Sequence, residues 1–213
     1  MTRFAILLGG DLTVTARLRG QIRGARVIAA DSGMMHAAGL GVVPELWVGD
    51  FDSAGSELTM QYRDVPRDTF PAEKDVTDGA IAVAEAIRRG ASEIVLLGGL
   101  GGQTDHTAGL LGQSLQIARE GVACLLSSGT EEAWPLIPGR MTVELPPGTR
   151  FSIIPFADLV GLDLTGVKWP LAGRSVPVGS TLTLSNLALG AVTVSLREGY
   201  GIAMAYPAMN LDD

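Results

Sequence analysis

One cysteine stands in 213 residues. A single thiol cannot close an internal disulfide, and Cys124 has no Cys or His neighbour at zinc-ligand spacing. It sits in the apolar run at residues 122–126 and reads as a core thiol of a cytoplasmic protein, where thiols stay reduced. Runs of Lys or Arg are missing too. The chain carries 16 basic and 23 acidic residues, for a formal net charge of −7. Nucleic-acid backbones and anionic lipid both demand a basic stripe, so neither nucleic acid nor a membrane surface is an expected partner. No apolar stretch approaches a bilayer span. The run at residues 94–102 is short and rich in glycine, and the run at residues 4–8 is soon ended by Asp11, too early for a signal peptide. Internal repeats and low-complexity tracts are absent. What remains is 46% apolar residues, enough to build one large core or two small ones.

As far as residue 126 the chain alternates short apolar runs with helical patterns. Residues 4–8, 26–30, 46–48, 68–70, 93–97 and 122–126 read as strands. They are short and unalternating, as parallel strands covered on both faces must be. Residues 32–39, 53–62, 77–89 and 105–120 read as the intervening helices. In the third, Ile81, Ala84, Ala86 and Ile87 recur at roughly helical spacing before Arg88-Arg89 and Gly90, a C-terminal signal. Repeated β-α units imply a parallel sheet, right-handed crossovers and a ligand edge beyond the carboxyl ends of the strands. The pattern changes near Ser127-Ser128-Gly129-Thr130. Beyond it no amphipathic helix is visible. Residues 141–145, 150–155, 181–184 and 191–196 alternate or are β-branched, punctuated by Pro146-Pro147-Gly148 and Glu198-Gly199-Tyr200-Gly201. The expected fold is α/β. A Rossmann-like three-layer domain with a parallel sheet covers residues 1–130, and an all-β sandwich or barrel covers residues 131–213.

Aspartates cluster where the predicted strands stop. In Val48-Gly49-Asp50-Phe51-Asp52-Ser53 the two acids are two apart. If the strand geometry persists, both point to one face and Phe51 to the other. Carboxylates so close repel unless a cation lies between them, and Mg²⁺ takes such hard oxygen ligands while keeping waters and phosphates in its shell. The plainer alternative is that Asp52-Ser53 caps the next helix. In Glu73-Lys74-Asp75-Val76-Thr77-Asp78 the aspartates suit a first helical turn, and Lys74 offers a point charge to phosphate. The loop Gly98-Gly99-Leu100-Gly101-Gly102-Gln103-Thr104-Asp105-His106 joins a strand to a helix, where backbone N–H groups can approach phosphate. It matches neither a dinucleotide-binding Gly-x-Gly-x-x-Gly pattern nor a Walker loop. Asp31-Ser32-Gly33 follows another strand and is open to reading as a capped helix start. Of the two histidines, His36 reads as structural, and His106 lies next to Asp105. Four loops after four strands, each with Asp or Gly, converge on one sheet edge.

At these residues the chain resembles the thiamine pyrophosphokinases (thiamine diphosphokinases). Its Ala30-Asp31-Ser32-Gly33, Gly49-Asp50-Phe51-Asp52-Ser53, Glu73-Lys74-Asp75-x-Thr77-Asp78 and glycine-loop segments stand in the family's order. Gly166-Val167-Lys168-Trp169-Pro170-Leu171 and Leu184-Ser185-Asn186 resemble its thiamine-binding half. The resemblance implies an N-terminal domain holding Mg-ATP, and transfer of pyrophosphate from ATP to the hydroxyethyl group of thiamine with release of AMP. It also implies a homodimer with thiamine at the subunit interface. Carried over residue by residue, Asp50, Asp52 and Asp78 lie near Mg²⁺ and the phosphates. Asp75 and Asp105 join them as catalytic carboxylates, and Asp31, Ser32, Lys74, Thr77, Gly101, Gly102 and Gln103 bind nucleotide. Trp169, Ser185 and Asn186 lie near thiamine, a flat cation suited to an aromatic face. Asp78 or Asp105 would accept the hydroxyl proton.

Two positions depart from the family pattern. Gln103 stands where the family has Arg, so a charged fork for phosphate is replaced by a neutral amide. Ser32 stands in the family's Asp-Gly-Gly. Three rivals follow: a haloacid-dehalogenase-type phosphatase, which also uses Asp-x-Asp but after its first strand; a diphosphokinase of the same build acting on a pterin alcohol; and a nucleotide or thiamine sensor without catalysis.

Overall fold

The apolar runs of the N-terminal part become six strands: β1 (Arg3–Leu7), β2 (Arg26–Ala30), β3 (Leu46–Gly49), β4 (Arg67–Thr69), β5 (Glu93–Leu97) and β6 (Ala123–Ser127). The structure is a computed structural model that describes residues 1–51, 55–69 and 76–207. The strand order is β6-β5-β1-β2-β3-β4 and every neighbouring pair is parallel. Ile6 of β1 lies opposite Ile28 on one side and Leu96 on the other. β1, β2, β3 and β5 are buried along nearly all their length, which is why their sequences do not alternate. The edge strand β4, Arg-Asp-Thr, is exposed throughout.

Five helices accompany these strands: α1 (Ala16–Gln21), α2 (His36–Leu40), α3 (Ser56–Gln61), α4 (Asp78–Arg88) and α5 (Thr104–Arg119). A 3-10 turn over Asp31–Met35 leads into α2. Leu18 of α1, Ala37 and Leu40 of α2, and Tyr62 after α3 pack with Ala5, Ala29, Trp47 and Val95 on one face of the sheet. α4 packs on β1, β2 and β3 with Ala82, Val83 and Ala86 buried. Helix α1 has no counterpart in the sequence reading. It is six residues long, contains Gly20 and buries only Leu18, so it carries no amphipathic stripe. Its local signal is Thr15, whose Oγ1 accepts from Leu18 N at 3.1 Å.

The remaining strands are β7 (Glu132–Leu136), β8 (Gly139–Val143), β9 (Arg150–Pro155), β10 (Leu159–Val167), β11 (Leu171–Val176), β12 (Asn186–Leu196) and β13 (Gly201–Tyr206). All pair antiparallel, in two ladders. One runs β7-β13-β9 to the first residues of β12, and the other joins β8, β12, β10 and β11. Phe151 and Ile153 of β9, Leu162 and Leu164 of β10, Val192 of β12 and Ala203 of β13 share one core. The strand expected at residues 181–184 is a turn, closed by Leu184 N donating to Thr181 O at 3.1 Å. Its alternation has a different origin. Thr183 is buried and exchanges bonds with Ile153 of β9, while Leu182 and Leu184 are exposed.

The chain divides into two compact units, Met1–Gln113 with Gly121–Gly129, and Ser114–Glu120 with Thr130–Asp213. Cys124 is buried in β6, and burial pushes its thiol up to about 12, as an inert core thiol requires. Among the described residues no helix is long and apolar enough to cross a membrane.

Candidate active site

The strand order sets where a ligand can enter. From β1 the chain steps to β2, β3 and β4 on one side, then returns to β5 on the other. The order reverses at β1 and β5, and sheets of this kind bind ligands beyond the carboxyl ends of their strands at such a switch point. A cavity of about 870 Å³ lies there, within the size range of small-molecule sites. Its wall includes Asp31 and Ser32 after β2, Thr77 and Asp78 at the start of α4, and Gly101, Gly102, Gln103 and Asp105 at the start of α5. Eight residues singled out from the sequence thus meet on one cavity. Asp50 is not among the lining residues, and Asp52, Lys74 and Asp75 lie outside the described residues.

Local geometry explains the wall. Gly10 N donates to Gly98 O at 3.1 Å, and a Cβ on Gly10 would stand 2.4 Å from that oxygen. Only glycine lets the β1 loop lie on the β5 loop. His36 Nε2 sits 2.9 Å from Gly10 O and ties α2 to the same loop, a structural role. Thr107 Oγ1 donates to Gly101 O at 3.1 Å and pins the glycine loop to the first turn of α5. Asp105 accepts from His106 N at 2.9 Å. Thr77 caps α4, its Oγ1 accepting from Ala80 N at 3.2 Å, so Asp78 is not needed as the cap. Both helices aim their N-terminal N–H groups and positive dipole ends toward the cavity, where they favour anions.

β3 ends at Gly49 and Phe51 has φ +64°, so the strand geometry assumed for a shared face does not persist through Phe51; Asp52 lies outside the described residues. The N-cap of α3 is Gly55, so the helix starts after Asp52-Ser53, which lie outside the described residues. The sequence reading also missed Gly9, Gly10 and Asp11, which line the cavity. Their signal is a Gly-Gly-Asp directly after an apolar run, the same pattern as in the other loops.

The charge of the wall is one-sided. Asp11, Asp31, Asp78 and Asp105 line it, and no Lys or Arg is among the described lining residues. A bare polyphosphate would be repelled, whereas one carrying a divalent cation brings its own counter-charge. Among the described residues no three His, Cys, Asp or Glu side chains gather closely enough to hold a metal by themselves. Hard carboxylate oxygens in small number are nonetheless what Mg²⁺ uses when phosphates and waters complete its shell.

In the second unit Trp169, Ser185 and Asn186 form a separate group. Trp169 is 53% exposed, with Lys168 Nζ 4.8 Å from its ring centroid. Asn186 is buried and bonds the Trp169 backbone at both its N–H and its carbonyl. Ser185 has φ +57°, with its N–H donating to Ser152 Oγ at 3.0 Å.

Two family models match the chain: thiamin pyrophosphokinase, catalytic domain, over residues 23–126, and thiamin pyrophosphokinase, vitamin B1 binding domain, over residues 140–200. The chain belongs to the thiamin pyrophosphokinase family. A thiamine pyrophosphokinase from Bacillus subtilis is 29% identical over 163 residues, 75% of this chain and 76% of that protein. A crystal structure of thiamine pyrophosphokinase from Bacillus subtilis superposes with a TM-score of 0.87 at 26% identity, covering 98% of this chain and 100% of the other. A thiamin pyrophosphokinase structure from Geobacillus thermodenitrificans gives a TM-score of 0.81 at 28% identity, covering 100% and 99%. The activity of the family is transfer of pyrophosphate from ATP to thiamine, and the chain is a transferase of this kind. Membership in the thiamin pyrophosphokinase family sets aside the pterin and dehalogenase-type rivals. The latter also conflicts with the topology, since Asp50 follows β3 rather than the first strand.

Proposed function

We propose that the cavity at the ends of β1 and β5 is where this chain binds ATP with a divalent cation, and that thiamine is held by the unit carrying Trp169. The observation that supports this most is that the charged residues among the described wall are all acidic and stand beside two helix N-termini, a setting suited to a cation-bound polyphosphate. Asp50, Asp52 and Asp78 would hold Mg²⁺, which when bound offsets charge on the phosphate oxygens. Gly101, Gly102 and Gln103 present the glycine loop to the phosphates, with Asp31, Ser32 and Thr77 beside it and Lys74 as a point charge.

The reaction is an in-line displacement. The hydroxyl oxygen of thiamine bonds to the β-phosphorus, the bond from that phosphorus to the bridging oxygen of the α-phosphate breaks, and AMP leaves. Asp78 or Asp105 accepts the hydroxyl proton, and Asp75 supports the acidic cluster. Catalysis then rests on positioning and on fixed charge rather than on a covalent intermediate. The exposed apolar side chains Trp169, Leu182 and Leu184 support a homodimer with thiamine at the subunit interface. The reading puts the enzyme in the cytoplasm, where ATP is abundant and a lone thiol stays reduced.

The deciding experiment is an assay of AMP and thiamine diphosphate with Mg-ATP, with and without thiamine. Thiamine-dependent AMP release that stops on chelation of the metal and resumes with added Mg²⁺ is the expected result. Calorimetry showing that ATP and thiamine bind without turnover would instead make the chain a sensor, a reading that neutral Gln103 on the cavity wall keeps in play.

A further inference from the structure

Three described non-glycine residues have positive φ: Asp31 at 44°, Phe51 at 64° and Ser185 at 57°. Two of these adjoin the acidic loops after β2 and β3. Backbones in that region are costly for non-glycine residues and persist only where their surroundings hold them. One side chain touches both. Trp47 of β3 is fully buried, and its indole Nε1–H donates to Asp31 O at 2.8 Å. Its ring meets Phe51 edge-on, with centroids 5.0 Å apart and planes at 90°.

Further contacts lock this arrangement. The Arg67 guanidinium lies 5.0 Å from the Trp47 ring centroid and 5.4 Å from that of Phe51. Arg67 Nη2 is anchored by donating to Thr59 O at 2.9 Å. From the strand side, Gly49 presses directly on Asp31: a Cβ there would stand 3.2 Å from the Asp31 Cα. The Asp31 backbone is therefore held between Gly49 and the indole N–H. Phe51, the residue that follows Asp50, is held by the same indole.

We propose that Trp47 is a positioning residue, which fixes Asp31 and the Asp50-Phe51 segment relative to one another so that cation-bound ATP meets carboxylates already in place. This rests on the reading of the cavity as the Mg-ATP site. Such preorganisation acts on metal–nucleotide binding and on the chemical step, and leaves thiamine binding unaffected. Mere core packing by Trp47 would show only in stability.

Trp47→Phe keeps a six-membered ring in the core and removes the donor to Asp31. Calorimetry with Mg²⁺ and a non-hydrolysable ATP analogue, and steady-state kinetics, are compared with wild type, with thermal melts as the control for folding. The expected result is a dissociation constant for the Mg-nucleotide about tenfold weaker, the size of one lost hydrogen bond. The KM for Mg-ATP rises with it, and the thiamine KM stays within about twofold. Should Trp47→Phe fail to fold, Phe51→Leu removes the other ring of the pair and is expected to show the same selective weakening. Unchanged Mg-nucleotide binding in a folded variant of wild-type-like turnover overturns the proposal alone. Wild-type protein that binds no Mg-nucleotide overturns the site reading, and the proposal with it.

Discussion

Asn186 holds Trp169 by both edges of its backbone: Oδ1 accepts from Trp169 N at 3.1 Å, and Nδ2 donates to Trp169 O at 2.8 Å. The same Oδ1 accepts from Leu187 N at 2.9 Å. A side-chain amide thus stands in for a strand partner where β12 begins, next to a residue with positive φ. The family resemblance implies a place for Asn186 near thiamine; the geometry gives its amide the task of presenting the exposed indole. Asn186→Asp keeps the acceptor and removes the donor. The thiamine KM is expected to rise about tenfold, one hydrogen bond's worth, with the ATP KM unchanged. Kinetics in both substrates checks this, and an equal rise in both KM values would refute it.

Asp78 and Thr77 are adjacent but separable. Thr77 satisfies Ala80 N at the start of α4, while Asp78 faces the cavity wall. Thr77→Ala is expected to lower stability by about 1 kcal/mol, the usual cost of a lost cap. Asp78→Asn should leave the melting temperature near that of wild type and cut kcat by about a hundredfold or more, as expected for loss of a charge acting on the phosphates. Thermal melts and AMP release measured on the same two variants separate the roles. Full activity in Asp78→Asn would remove it from the metal and proton-transfer assignments.

Gln103 sits on a cavity wall with no Lys or Arg among its described residues. An Arg there would offer a rigid two-pronged donor to phosphate oxygens, which a neutral amide cannot match. Gln103→Arg is expected to lower the KM for Mg-ATP by about three- to tenfold, a gain of roughly 1 kcal/mol for an exposed charge-assisted contact. Measuring KM at two salt concentrations adds a check, since the gain should shrink as salt rises. No change at low salt would mean that the loop does not meet the phosphates.

Much of this was legible in the chain because parallel strands and their loops leave local marks. The apolar runs of β2 and β5 and the glycines after β5 gave the sheet and its ligand edge without any long-range information. What escaped depended on tertiary contact. Helix α1 buries one side chain, so no stripe announces it. The turn at residues 181–184 looks like a strand because Thr183 alone turns inward to bond Ile153. The left-handed backbone at Phe51, where extended geometry was expected, is held by Trp47 and Arg67 from other elements. The loop that carries Asp11 has no amphipathic helix after it to mark it as a strand-to-helix turn.

Acid stability should report a charge network at the far end of α4. Glu85 accepts from Arg88 at 2.7 Å through both carboxylate oxygens and from Arg89 Nε at 2.6 Å, while Arg89 also bonds Glu45. Glu45 in turn accepts from Arg26 at 2.7 and 2.8 Å. The Arg88 bond, aided by Arg89, lowers the Glu85 carboxyl from 4.5 to about 2, and Arg26 lowers that of Glu45. A folded value below the unfolded one means that the unfolded chain takes up protons first as pH falls. The contribution of Glu85 is therefore fully present above the unfolded value of 4.5, declines below it, and is lost as pH approaches about 2. Glu85→Gln should cost about 1 kcal/mol at pH 7, a modest sum because Arg88 is exposed to solvent. Urea unfolding at pH 7, 5 and 3 tests this: the gap between wild type and variant should hold from pH 7 to 5 and narrow at pH 3. A gap that widens with acid would show that folding raises the Glu85 carboxyl instead of lowering it.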